Sequence, residues 1–310
     1  MKGIDFSLNL VKDLRFMWQF DFMRHAFEAG TIIAVVAGII GYFIVLRRSA
    51  FAAHALSHIG FAGAAGAVLF GFAPLAGLLT FTTGGAIAMA VLGPRAANRD
   101  VQIGTVLAFM LGLGVLFISL YSGYATEAYS ILFGEILGIS RSDVWITLVA
   151  AGILLGVVLL IYRPLLLSSL DEEMAEARGL PVSALGMAFM VLVAVATSIA
   201  VQIVGVLLIF ALMVTPAAVA QRVARRPGRG LAISVLVAVL ATWFSLFLAF
   251  YLPWGRVSFF ITTITFAVYI AVRLWQKILA APSSGHPKAT EDHEHSPRPQ
   301  PVPLPKGEGE

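Results

Sequence analysis

Cysteine is absent from the 310 residues. Disulfides, thiolate catalysis and cysteine-based zinc centres are therefore excluded. Charge is scarce as well. Asp, Glu, Lys and Arg together make up 12% of the chain, against about 25% in a soluble globular domain. The familiar catalytic motifs are missing too. There is no GxxxxGK[ST] loop, so the chain itself cannot hydrolyse ATP by P-loop chemistry. No GxSxG elbow stands near a histidine base, and no pair of aspartates lies in an apolar run. The net charge of +4 is modest and calls for no nucleic-acid partner.

What the chain has in quantity is apolar surface. It is 59% hydrophobic, with a mean hydropathy of +0.90. A water-soluble core could not hide that much, whereas a bilayer offers it an apolar solvent. A helix needs about 20 apolar residues to cross ~30 Å of hydrocarbon. Runs of that kind are Ala29–Leu46, Ala52–Gly71, Ala73–Gly93, Val101–Tyr121, Val144–Tyr162, Val182–Val201, Ile203–Val223, Leu231–Leu252 and Val257–Val272. The sixth and seventh almost merge around Gln202, so eight spans is an alternative to nine. The expected fold is an all-α polytopic membrane bundle.

Basic residues sort by parity along this order. Arg47, Arg48, Arg95, Arg99, Arg163, Arg178, Arg222, Arg225, Arg226, Arg229, Arg273 and Lys277 follow odd-numbered spans. Even connections hold only Arg141 and Arg256, beside Glu127, Glu135 and Asp143. The positive-inside rule then puts the odd connections and the C-terminus in the cytoplasm, with the N-terminus outside.

Four segments stand apart from the nine spans, two of them inside the bundle, 29–280. Residues 1–28 mix charges with Leu10, Val11, Leu14, Met17 and Trp18 at helical spacing, which predicts a short interfacial helix rather than a signal peptide. Residues 122–143 predict an external loop with a half-helix around Ser130–Leu137. Residues 164–181 predict a short cytoplasmic helix capped by Ser168 or Ser169 and stopped by Gly179 and Pro181. The tail, 281–310, is rich in Pro, Ser and charge and reads as disordered. Its His286 and the run Glu291–His295 could hold metal loosely, although a solvated tail explains them better.

No Asp, Glu, Lys or Arg falls within the nine runs apart from Arg222, one residue from the end of the seventh. His54 and His58 do, and their spacing of four puts them on one helical face. His58 lies ten residues beyond Arg48, or ~15 Å along a helix, about half the hydrocarbon thickness. Intramembrane histidines can serve as hydrogen-bonding glue. A pair at mid-depth points instead to a metal pathway, because imidazole suits transition ions and membrane ionisable groups tend to mark transport routes. Two histidines do not complete a coordination shell. A symmetric second copy, backbone carbonyls, Ser57 or water could add to it. Gly60, Ala62, Gly63, Ala64, Ala65 and Gly66 leave one face nearly bare for close packing. HALSH has the histidine spacing of a zinc protease, but Ala55 stands where that motif needs glutamate.

These residues resemble the membrane subunits of ABC importers for zinc, manganese and iron. VLRRSAFAAHALSHIGFAGAA is similar to that family's basic pair followed by xALSHxxxxG. SILFGEILGIS, LLLSSLDEEMAEARGLP, VQIVGVLLIFALMVTPAAVA and FYLPWGRVSFFI resemble its further segments in order, over about Phe22 to Arg273. The resemblance implies a non-enzymatic permease in the plasma membrane. It implies a homodimer with a cytoplasmic ATPase, an extracytoplasmic metal-binding protein and surrounding lipid as partners. It implies that Asp171, Glu172, Glu173, Ala177 and Gly179 belong to a coupling helix. Gln202, Gly205 and Pro216 would be structural: a break between spans, a packing contact and a kink. The cargo metal would pass His54 and His58, with no bound cofactor. The family commonly has Asp where this chain has His54, which tilts the expectation to zinc over manganese or iron. Trp254 also departs from the small residue usual there. Competing readings are a permease for an iron chelate and a secondary metal transporter working alone. The latter would want a membrane carboxylate.

Overall fold

A computed structural model describes residues 16–92, 99–121, 132–134, 136–252 and 256–280. Among them are eleven helices: α1 (Asp21–Leu46), α2 (Ala50–Leu69), α3 (Pro74–Leu92), α4 (Arg99–Leu120), α5 (Arg141–Leu160), α6 (Tyr162–Leu170), α7 (Glu172–Ala177), α8 (Val182–Val204), α9 (Val206–Val223), α10 (Pro227–Tyr251) and α11 (Val257–Ala280). Nine are long and apolar enough to span a bilayer; α6 and α7 are not. The described residues contain no strand. Helices satisfy their own backbone groups, which hydrocarbon demands.

α2 is the innermost element. Within its apolar window 78% of residues are buried, against 11% for α4. It packs on α3, α4, α8 and α9, while α1 packs on α9 and α10. In lipid there is little hydrophobic drive between helices, so tight contact through small residues does that work. A Cβ on Gly63 would fall 2.2 Å from the Gly77 carbonyl oxygen, and one on Gly77 2.0 Å from that of Gly63. The α2–α3 crossing is thus backbone against backbone. A Cβ on Gly41 would lie 1.9 Å from the Met213 carbonyl oxygen, which fixes α1 on α9 in the same way.

Several sequence expectations shift. The first span begins at Asp21, not Ala29, so residues 21–28 of the expected interfacial segment belong to α1. An Arg24–Asp21 pair one turn apart accommodates the charge there. Gln202 does not end a span. α8 runs through it to Val204, and the break is Gly205, whose φ of +89° and ψ of 159° suit only glycine. The spans there are separate, giving nine rather than eight. Residues 1–15 and 281–310 lie outside the described residues, as do 130, 131 and 135 of the expected half-helix at 130–137.

The connections sort to two ends. Arg47, after α1, meets Ser168 and Ser169, before α7. At the other end, residues 132–134 meet Gly205 and the start of α11.

Candidate functional site

α2 starts after a tight turn. Arg48 takes a φ of +54°, rare for a residue with a Cβ. Ser49 then opens the helix, its hydroxyl donating to the Ile44 carbonyl at 3.3 Å. From Ala52 to Ala67 every residue is buried except His54 and His58. The two imidazoles meet edge to face with centroids 4.6 Å apart. His54 also meets the ring of Phe210 on α9 at 4.8 Å. The Nδ1 atom of each histidine is enclosed and lacks a hydrogen-bond partner. Such orphaned polar atoms are costly and call for a ligand, a water or an ion.

The pair is therefore a two-nitrogen donor set on one face of the central helix. It is incomplete as it stands. Among the described residues no three of His, Cys, Asp and Glu come together. Ser57, considered above as a contributor, is buried and donates to the Ala53 carbonyl at 3.2 Å. Phe210 adds an aromatic wall that sequence reading missed, since nothing in a periodic apolar run marks which phenylalanine faces α2.

The residues singled out in 171–179 form one compact unit. Asp171 caps α7, its Oδ1 accepting from Met174 N at 2.8 Å. The expected caps, Ser168 and Ser169, lie inside α6 instead, because the 164–181 segment is two helices and not one. Glu172 and Glu173 occupy the first turn, where the helix dipole favours them. Ala177 is the last helical residue. Gly179, with φ +75°, ends the unit: its N–H donates to Glu176 O and that of Leu180 to Ala175 O, a Schellman closure. Asp171, Glu172, Glu173, Met174, Glu176 and Ala177 are all exposed, leaving an acidic, partly apolar surface.

The three positions read as structural part ways. Gln202 is exposed and lines an apolar groove of about 350 Å³ with residues of α3, α5 and α8. Gly205 crosses the 132–134 segment. Pro216 is buried inside α9 and leaves the Leu212 carbonyl without its intrahelical donor.

A sequence model of the ABC 3 transport family matches residues 19–276. The manganese transport system membrane protein MntC of Listeria monocytogenes is 31% identical over 257 residues, covering 81% of this chain and 91% of the relative. The manganese import system permease protein ScaB of Streptococcus parasanguinis is 32% identical over 233 residues, covering 75% and 83%. The solved structure of PsaBC from Streptococcus pneumoniae in complex with Fab superposes with a TM-score of 0.77 at 27% identity, covering 85% of this chain and 95% of that one. These relatives are named for manganese, so the tilt toward zinc finds no support among them.

Proposed function

The chain belongs to the ABC 3 transport family, and from that premise we propose that it is the permease subunit of an importer for a divalent transition-metal ion. The observation that carries the proposal is the His54–His58 pair, two orphaned imidazoles 4.6 Å apart on the central span. Manganese is the first cargo to test, because the permeases it resembles are named for it. The donor set adds a qualification of chemistry. Two imidazoles with no carboxylate are softer than manganese prefers, and suit zinc or iron as well. An incomplete shell suits transport, since a closed tight site would not release its ion.

In this reading an ATPase dimer docks on the acidic surface at 171–179, from the side where Arg residues cluster. A metal-binding protein delivers the ion at the end where residues 132–134, Gly205 and Arg256 meet. Two copies of the chain face each other, so that four imidazoles line one path. ATP binding and hydrolysis alternate the access of that path to the two sides.

The test is uptake of radioactive manganese and of zinc by cells or proteoliposomes carrying the whole transporter. His54→Ala and His58→Ala are expected to cut uptake about tenfold or more, equivalent to about 1.4 kcal/mol, at unchanged membrane level. Wild-type uptake in the double variant would overturn the role of the pair.

A further inference from the structure

One side chain ties the turn before α2 to the segment that leads into α7. Arg47, which follows the last residue of α1, donates from Nη1 to Ser168 Oγ at 3.1 Å and to Ser169 Oγ at 3.2 Å. Both hydroxyls in turn donate to the Leu165 carbonyl of α6. Their protons are thus committed, and their lone pairs accept from Arg47. The guanidinium carbon also lies 5.5 Å from the Phe189 ring centroid on α8. Phe189 packs against Phe43 of α1, and Phe43 against Tyr162 at the start of α6. The Arg47 head group is therefore held among α1, α6 and α8.

A bland role is open to any arginine at a membrane edge: it can snorkel to water and phosphate and report topology. Arg48 suits that role, since it is exposed. Arg47 does not, since it is half-buried and turned back onto two serines, one of them buried. A planar fork with five donors suits two hydroxyls and a ring face at once, which an ammonium does not.

The neighbours on each side give the contact its meaning. Two residues after Ser169 comes Asp171, the cap of α7. One residue after Arg47 comes Arg48, whose left-handed φ marks the pivot of the turn, and then Ser49, which opens α2. The first histidine follows within two turns.

We propose that Arg47 is a positioning residue for coupling: movement of α7 passes through Ser168 and Ser169 to the α1–α2 turn, and so to the helix that carries His54 and His58. This rests on the permease reading above, in which a partner ATPase moves α7.

The experiment uses the whole transporter in proteoliposomes, with ATP hydrolysis and manganese uptake measured in the same vesicles. Variants are Arg47→Ala, Arg47→Lys, Ser168→Ala/Ser169→Ala and the triple. Arg47→Ala is expected to assemble with the ATPase and to keep its basal hydrolysis, while manganese moved per ATP falls about tenfold, within the usual range of coupling between sites. The serine pair should give the same loss. The triple should be no worse than either, as residues of one network are not additive. Arg47→Lys should recover part of the ratio. Wild-type uptake per ATP in Arg47→Ala, or losses that add in the triple, would overturn the proposal. Should Arg47→Ala fail to fold, the serine pair, a minimal change in volume, decides alone by the same ratio. Failure of the wild-type chain to assemble with an ATPase would instead sink the permease reading, and this inference with it.

Discussion

Gly134 and Gly205 cross backbone against backbone. A Cβ built on Gly205 would lie 2.4 Å from Gly134 N, and one on Gly134 would lie 2.4 Å from the Val204 carbonyl carbon. Both have left-handed φ, +71° and +89°. The connection after α4 and the break between α8 and α9 therefore share one contact, and Ser258 of α11 fastens it by donating to Phe133 O at 2.8 Å. Three connections of the same parity meet at this end of the bundle.

Gly205→Ala should be among the most damaging single-methyl changes in the chain. It meets both the sterically forbidden backbone region, which costs about 1–3 kcal/mol, and the 132–134 segment. Gly71→Ala is the matched control, with φ +75° and nothing within 4 Å of its Cβ. Thermal melting in detergent should fall further for Gly205→Ala than for Gly71→Ala. Equal melting temperatures would show that the crossing is not tight.

A second contrast separates packed helical glycines from idle ones. Gly77→Ala should lower the melting temperature, because its methyl would meet the Gly63 carbonyl. Gly152→Ala and Gly156→Ala on α5 meet nothing within 4 Å. Those two should be neutral or stabilising, by about 0.5–1 kcal/mol each. The same melting assay reads all three.

Asp171 caps α7, and asparagine caps as well as aspartate. Asp171→Ala should weaken capture of the ATPase subunit in a pull-down, through loss of a cap worth about 1 kcal/mol. Asp171→Asn should retain capture if helix formation is what matters. Equal loss in both variants would assign the effect to the charge of Asp171 instead.

His54→Asp tests the donor chemistry of the pair. A carboxylate is harder than imidazole and suits manganese better. Uptake in a competition of manganese against zinc should shift toward manganese, by about tenfold for a 1.4 kcal/mol change in relative affinity. An unchanged manganese-to-zinc ratio would mean that position 54 does not touch the ion.

Much of the fold was legible in advance, and the misses have physical causes. The apolar runs located all nine spans, because hydrocarbon imposes length and composition on each independently. The start of α1 was missed since Asp21 and Arg24 neutralise each other one turn apart, which a hydropathy reading scores as polar. The α8–α9 break was placed at Gln202 because a polar residue interrupts the run, whereas the backbone bends where only glycine can, at Gly205. Ser168 and Ser169 were read as caps from residue type, and their hydrogen bonds go to Leu165 and receive Arg47.

Sequence by itself determined the all-helical membrane class, the shared face of His54 and His58 and the acidic unit at 171–179. Each follows from local periodicity or from the solvent the segment requires. Tertiary structure alone decided that α2 is the central helix, that Phe210 walls the histidines, that Arg47 binds serines 121 and 122 residues away, and that Gly134 meets Gly205. Those contacts join residues far apart in the chain. Their partners are chosen by packing geometry, for which hydrophobic pattern carries no label.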